Sequence, residues 1–487
     1  MFRTLFRILA RLSPPTAQLV RESVYTLNGG RLHDLKASIV QHIDEVGEAP
    51  RTSSLPLELT LRAALEPERD VARVAFISCL PPQETGIAAC SLYSWLGFRG
   101  AIDYFGPVTD VDWFFRLRAL LAGAGDGPRL YDVGGFLSMD CARRYDDIVI
   151  AVGNSNHHLY IFSVLQKLAS FGSLSRITFY IHDPCLLNLV QRGARLSALQ
   201  LGIAMSRIYR RELPTAPEDG QAQAALVDRG VLGLRYFVDA GITRFLVNSA
   251  AARTLVETDL RGTSATVRTI FHPAFLPLGA PVGQAPEPGP DRLAVGVFGG
   301  PAHGKGLETI TDAIRLLTQR GQPVSLILAG YSVSQYVERH SQLFREIELE
   351  VFDSPADTRL VRCMQQCHIA VQLRTRNLGE SSGIVPQLLC LGKDVIVSRI
   401  GAFAEFGEAV RAVEHDVTAA ELASQIVKLR DNPISIRTKQ QYVDRHSPEE
   451  FQRRFMEIFL PQPATATLEG KFPKRSASSP AIAGEQI

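Results

Sequence analysis

The sequence predicts an α/β protein with two doubly wound domains facing each other across a cleft, and three observations lead there. From Val71 onward, short apolar runs alternate with amphipathic stretches. Most of the apolar runs are continuous rather than alternating in polarity, as strands covered by helices on both faces must be. One segment, Pro277 to Pro290, holds five prolines and three glycines with almost no large apolar side chain, and it divides the series in two. A chain of 487 residues is also too long for one ordinary hydrophobic core.

Residues 1–70 are expected to form an N-terminal helical extension. Its first twelve residues place Arg3, Arg7 and Arg11 on one helical stripe, with Phe2, Leu5, Leu9 and Leu12 largely away from it. This short basic amphipathic helix suits either peripheral membrane contact or packing on the protein's own body. Residues 71–276 form the first Rossmann-like domain, with strands expected at Val71–Leu80, Ala101–Phe105, Asp147–Val152, Arg176–Ile181, Arg244–Val247 and Val267–Phe271. A helix-rich insert, Asn188–Val238, carries Arg207, Arg210 and Arg211 and is expected to cover one edge of the site or act as a lid. Residues 277–291 are the linker. The second domain, 292–460, repeats the pattern at Leu293–Phe298, Val324–Ala329, Leu349–Phe352, Ile369–Leu373, Val395–Val397 and Val410–Val413, followed by a helix at Glu449–Phe459. The Ala-, Ser- and Pro-rich residues 461–487 are expected to be a disordered tail.

Fifty-two basic against fifty acidic side chains leave a formal charge of +2, which gives no global field for nucleic acid. Seven scattered cysteines, mostly within apolar runs, point to a reducing, cytoplasmic setting. Cys363, Cys367 and His368 lack a second ligand cluster and are expected at a buried helix end followed by a strand. No apolar run approaches the ~20 residues of a membrane span.

Two segments of the second domain carry chemistry suited to an anion. Gly299-Gly300-Pro-Ala-His303-Gly304-Lys305-Gly306 links a strand to a helix, so glycine amides, the helix start and a lysine can converge on a phosphate. It is neither a Walker loop nor a dinucleotide fingerprint. Leu373-Arg374-Thr-Arg376-Asn-Leu-Gly379-Glu380-Ser381-Ser382-Gly383-Ile384-Val-Pro386-Gln387 ends a strand in arginine and enters a helix. Pro386 is tolerated only in the first turn, so that helix is expected to start near Ser381 or Ser382, leaving amides at Ser382, Gly383 and Ile384 free.

These motifs, with Gly392-Lys-Asp-Val-Ile396 and Val397-Ser-Arg-Ile-Gly401-Ala-Phe-Ala-Glu405, closely resemble the donor-binding half of retaining GT-B glycosyltransferases of family four, also called glycosyl transferases group one. Leu80-Pro-Pro-Gln-Glu-Thr85-Gly86-Ile87, Gly153-Asn154-Ser-Asn156-His157-His158 and His182-Asp183 are similar to the first domain of that family's bacterial polysaccharide branch. The resemblance implies a nucleotide-sugar donor such as a GDP- or UDP-sugar, a glycan or lipid-linked acceptor, no further cofactor and no metal. It implies that Lys305 and Arg374 hold the donor diphosphate with Gly304 and the helix start at Ser381, Ser382, Gly383 and Ile384. Gly86 then allows close approach of the first-domain loop, His182 faces the transferred sugar, and Glu380 contacts that sugar or positions its loop. Gln387 stands where many members have the glutamate that binds ribose, and Gly300 where many have an arginine. The alternative is therefore a catalytically weak GT-B scaffold that binds nucleotide-sugar or a partner enzyme. The implied location is the cytoplasm, at the inner face of the cell membrane if residues 1–12 dock there.

Overall fold

The computed structural model describes residues 73–459, except 84, 101, 124–126, 144, 171–173, 282–291 and 302–303. The extension 1–70 with its basic helix, most of the linker, and the tail 461–487 lie outside the described residues.

The first domain is a seven-stranded parallel sheet: β1 (Val74–Ile77), β2 (Ile102–Gly106), β3 (Arg129–Asp132), β4 (Asp147–Val152), β5 (Ile177–Ile181), β6 (Arg244–Val247) and β7 (Thr266–Thr269), in the order β3-β2-β1-β4-β5-β6-β7. The second is a six-stranded parallel sheet: β8 (Leu293–Phe298), β9 (Val324–Gly330), β10 (Glu348–Asp353), β11 (Ile369–Gln372), β12 (Asp394–Ser398) and β13 (Arg411–Val413), in the order β10-β9-β8-β11-β12-β13. In each sheet the winding reverses once, between β1 and β4 and between β8 and β11. Crevices beyond the carboxyl ends at such reversals are where ligands of these sheets bind.

The strands that read as continuous apolar runs, β1, β2, β8 and β9, are buried along their whole length. Strand β3, which sequence reasoning did not anticipate, has the composition Arg-Leu-Tyr-Asp and lies at a sheet edge, so only its two central side chains are fully buried. Two of the other edges, β7 and β10, are likewise polar in part and largely exposed, which discourages pairing with a foreign strand, whereas the fourth edge, β13, is short and half-buried.

The insert is part of the first domain's core. Helices Leu187–Gly193, Ala198–Tyr209, Asp219–Asp228 and Arg235–Asp239 contribute Leu189, Leu201, Met205, Tyr209, Leu226 and Phe237 to one apolar cluster with Phe179 and Phe245 of the sheet. The buried Asp259 carboxylate ties it down by accepting from Tyr209 Oη at 2.8 Å and from the Leu232 amide at 2.9 Å. Packed this way, the insert is a fixed wall rather than a lid.

The last helix, Pro448–Phe459, returns to the first domain. Phe451 and Phe455 are wholly buried, Phe455 packs edge-on against Trp95 at 4.8 Å, and Gln452 Nε2 donates to the Ser94 carbonyl at 2.8 Å. Cys363 and Cys367 are buried at the end of helix Asp357–Gln366, and His368 Nδ1 accepts from the Ala294 amide, so this trio serves packing, as expected.

Candidate functional site

Lys305 and Arg374 meet at the carboxyl ends of β8 and β11. The glycine turn after β8 takes positive φ at Gly299, Gly304 and Gly306 (90°, 94° and 62°), a backbone that only glycine adopts cheaply. It is stitched to the loop after β11 by the Thr375 amide, which donates to the Gly304 carbonyl at 2.8 Å. Lys305 Nζ thereby donates to the Gly300 carbonyl and lies 3.5 Å from where a β-carbon on Gly299 would sit. Arg374 Nη1 donates to its own neighbour, the Leu373 carbonyl, at 2.7 Å, and its guanidinium lies 4.8 Å over the Phe403 ring.

Among the described residues neither cation forms a salt bridge. Burial and the nearby Arg374 charge lower the Lys305 ammonium to about 8, and burial also lowers Arg374. Two desolvated positive charges with no carboxylate partner among the described residues make a site that gains from an anion.

The helix after Arg374 runs from Ile384 to Cys390, and Gly383 before it already has helical backbone angles. The Ser382 hydroxyl accepts from the Val385 amide at 3.2 Å and caps the first turn, where a capping serine is expected. Gly383 and Ile384 keep first-turn amides beside the cations, and Ile384 approaches the Gly299 turn. Ser381 lies in the connecting loop. The Glu380 carboxylate accepts from the Leu378 amide at 2.7 Å while Asn377 Nδ2 donates to the Glu380 carbonyl at 3.1 Å, so this side chain holds the loop. Burial raises its pKa, and the nearby Asp183 charge adds to the rise. Gln387 sits on the first-turn side of the same helix, its Oε1 enclosed and without a hydrogen-bond partner among the described residues.

The first domain faces this cluster with His182 and Asp183 at the end of β5. Asp183 Oδ2 accepts from the Asn154 amide at 3.0 Å, and a β-carbon on Gly153 would sit 2.8 Å from it, so glycine is required at that approach. Gly86, by contrast, is exposed and a β-carbon there would meet nothing within 4 Å. No packing among the described residues demands glycine at position 86.

His182 is buried, and burial, followed by the neighbouring His272 and His158, holds its pKa well below the usual histidine value. Asn248 Nδ2 lies 3.1 Å from His182 Nδ1. An amide nitrogen only donates, so Nδ1 accepts and the ring proton resides on Nε2, which finds no partner among the described residues. Nitrogen-15 shifts of His182 are expected to report this neutral Nε2–H form across the neutral pH range. Asn248→Asp, whose carboxylate can only accept, is expected to move the proton to Nδ1 and raise the pKa; an unchanged tautomer in that variant would remove the assignment.

Sequence reasoning missed Asn248 and His272. A β-carbon on Gly383 would lie 3.8 Å from His272 Nε2, so His272 touches the helix start of the other domain. Its only sequence signal is a histidine and proline shortly after a strand. Two further contacts bring the domains together. Glu405 accepts from the amides of Ala250 and Ala251 at 3.1 and 2.9 Å, capping helix Ala250–Asp259, and Ser249 Oγ donates to the Gly379 carbonyl at 3.2 Å.

No protein-family model matches the chain. No curated protein matches it significantly. Solved structures do share its fold. The Anabaena protein HepE, solved in complex with UDP and glucose, is similar at 15% identity and a TM-score of 0.51 over 80% of this chain and 99% of that one. Sucrose-phosphate synthase from Thermosynechococcus elongatus is similar at 14% identity and a TM-score of 0.50 over 80% and 98%. The architecture is GT-B: two Rossmann-like domains flanking a cleft.

Proposed function

We propose that a protein of this GT-B architecture, with two unpaired cations at the carboxyl ends of β8 and β11, transfers a sugar from a nucleotide-sugar donor to a polysaccharide or lipid-linked glycan, with retention at the anomeric carbon and without a metal ion. The observation that carries the reading is the pair Lys305 and Arg374, partly buried and, among the described residues, without a carboxylate partner, each donating to a backbone carbonyl. A nucleoside diphosphate leaving group supplies the anion they lack. As the bond from sugar to diphosphate breaks, negative charge grows on the leaving oxygen, and a lysine, an arginine and helix-start amides already fixed in place stabilise it without reorganising.

His182 enters as a donor. Its Nε2–H suits a hydroxyl of the transferred sugar, and its lowered pKa keeps it neutral, so it adds orientation without repelling the two cations. The carboxylates of Glu380 and Asp183 are each engaged with a backbone amide. That favours chemistry driven by leaving-group stabilisation over chemistry driven by a carboxylate nucleophile.

A second reading, a scaffold that binds nucleotide-sugar but turns it over poorly, is favoured by Gln387 and Gly300. A β-carbon on Gly300 would stand 3.2 Å from the Tyr331 carbonyl, so this turn has little room for a larger side chain.

A thermal-shift screen with UDP, GDP, ADP and their sugars tests the site, because a ligand that binds only the folded state raises its stability. One nucleoside diphosphate is expected to stabilise the protein, and its affinity to fall as pH rises through about 8, where free Lys305 loses its proton. Turnover of the matching sugar donor is expected to persist in EDTA. Absence of any stabilisation would end the diphosphate reading, and binding without turnover would select the scaffold.

A further inference from the structure

We propose that helix Ala198–Tyr209, together with the arginines at its two ends, is a docking surface for an anionic lipid bilayer. One face of this helix is fixed in the first domain's core through Ala198, Leu201, Gly202, Met205 and Tyr209, and a Ser197–Gln200 capping box secures its start. The opposite face presents Leu199 and Ile203, four residues apart and 52% and 42% exposed, in line with the exposed Arg207. Apolar side chains on a rigid exposed stripe gain by leaving water.

Along the chain that carries the stripe, the charged side chains have one sign. Arg192 and Arg195 precede the helix, Arg207, Arg210 and Arg211 end it, all five are exposed, and no acidic residue occurs between Asp183 and Glu212. Arg192 reaches Asp219 at 3.4 Å and Arg211 donates to the Arg229 carbonyl, whereas Arg195, Arg207 and Arg210 form no salt bridge with a described carboxylate. Arg195 and Arg210 also adopt left-handed backbone, with φ of 54° and 52°. Glycine or asparagine is the less strained residue there, so each of these arginines sits against the local conformational preference.

Two apolar side chains framed by arginines match a bilayer interface, which offers phosphates to the guanidinium groups and hydrocarbon to the centre. A nucleic-acid backbone would satisfy the arginines and leave Leu199 and Ile203 without a partner. The surface does not depend on the glycosyl-transfer reading. It deepens that reading by placing a lipid-linked acceptor within reach: the preceding helix, Leu187–Gly193, starts at the cleft, where the Leu189 amide donates to Asn154 Oδ1 at 3.0 Å.

Co-sedimentation of the full chain with vesicles of phosphatidylcholine, alone or with a quarter phosphatidylglycerol, tests it. Binding is expected only to the anionic vesicles and to weaken as salt rises. Leu199→Ser with Ile203→Ser is expected to lower partitioning by about tenfold, from the apolar area no longer buried. Replacing Arg195, Arg207 and Arg210 with glutamine should lower it on the order of 100-fold. Both variants should keep the wild-type melting temperature and nucleoside diphosphate shift, since neither changes the cleft. Wild-type binding that is absent on anionic vesicles, or equal in either variant, would overturn the proposal. So would variants that lose affinity for heparin or an oligonucleotide while binding vesicles normally.

Discussion

Replacing Lys305 or Arg374 with alanine is expected to lower turnover on the order of 100-fold or more with the fold retained, because each change removes a fixed charge from the departing diphosphate. The two variants should differ in a second readout. Among the described residues Lys305 bonds only to the Gly300 carbonyl, so its loss is expected to cost little stability. Arg374 also covers the Phe403 ring, and its loss is expected to lower stability by about 0.5–1 kcal/mol as well. Lys305→Arg keeps the charge and should extend nucleoside diphosphate binding to higher pH, since the pKa of about 8 belongs to a partly buried lysine and a guanidinium does not titrate there. Near-wild-type rates in either alanine variant would detach these residues from the chemistry.

Phe455→Ala is expected to destabilise the protein by about 3–5 kcal/mol, as deletion of a buried aromatic side chain does. Phe455 is wholly buried, with Trp95 at 4.8 Å, Phe459 at 4.6 Å and Phe76 at 6.0 Å. Its neighbours Phe76 and Trp95 lie in the first domain, so the change should unfasten the last helix from a sheet that begins more than 350 residues earlier. Trp95 is buried beside it and Trp113 is 43% exposed, which makes tryptophan fluorescence in urea a direct probe of this contact. On the exposed face of the same helix, Arg453→Ala removes surface ion pairs to Glu450 and Glu457 and is expected to change stability by less than about 0.5 kcal/mol. An unmoved unfolding midpoint for Phe455→Ala would mean that the helix does not fasten the two domains.

The interdomain contacts explain several residues whose local surroundings do not. A β-carbon on Gly379, where φ is 91°, would sit 2.7 Å from Ala252 Cα of the other domain. Glu405 stands in a helical stretch of the second domain yet caps a helix of the first. Both depend on the cleft being flanked as it is here, with the loop after β11 against helix Ala250–Asp259.

The sequence by itself determined what is set by local chemistry. Continuous apolar runs marked β1, β2, β4, β5, β8, β9, β11 and β12 because a strand covered on both faces has no polar alternation to hide it. Glycines that need positive φ, followed by a lysine and a helix, marked the Lys305 turn, and Pro386 bounded the helix beyond Arg374. Only the tertiary structure decided the rest. Strand β3 escaped notice because an edge strand can remain polar. The insert read as a cover over one edge of the site or a lid because helical periodicity records an apolar face but not its partner, which proved to be the sheet. The last helix read as second-domain for the same reason, its phenylalanines carrying no sign of which core would receive them. Asn248 was invisible since a hydrogen bond between neighbouring strand ends leaves no spacing rule in the chain, and nearness to the helix start of the other domain gives His272 none either. Local motifs are fixed by backbone sterics over a few residues, whereas pairing across a cleft is fixed by which surfaces exclude water together, and that is a property of the assembled fold.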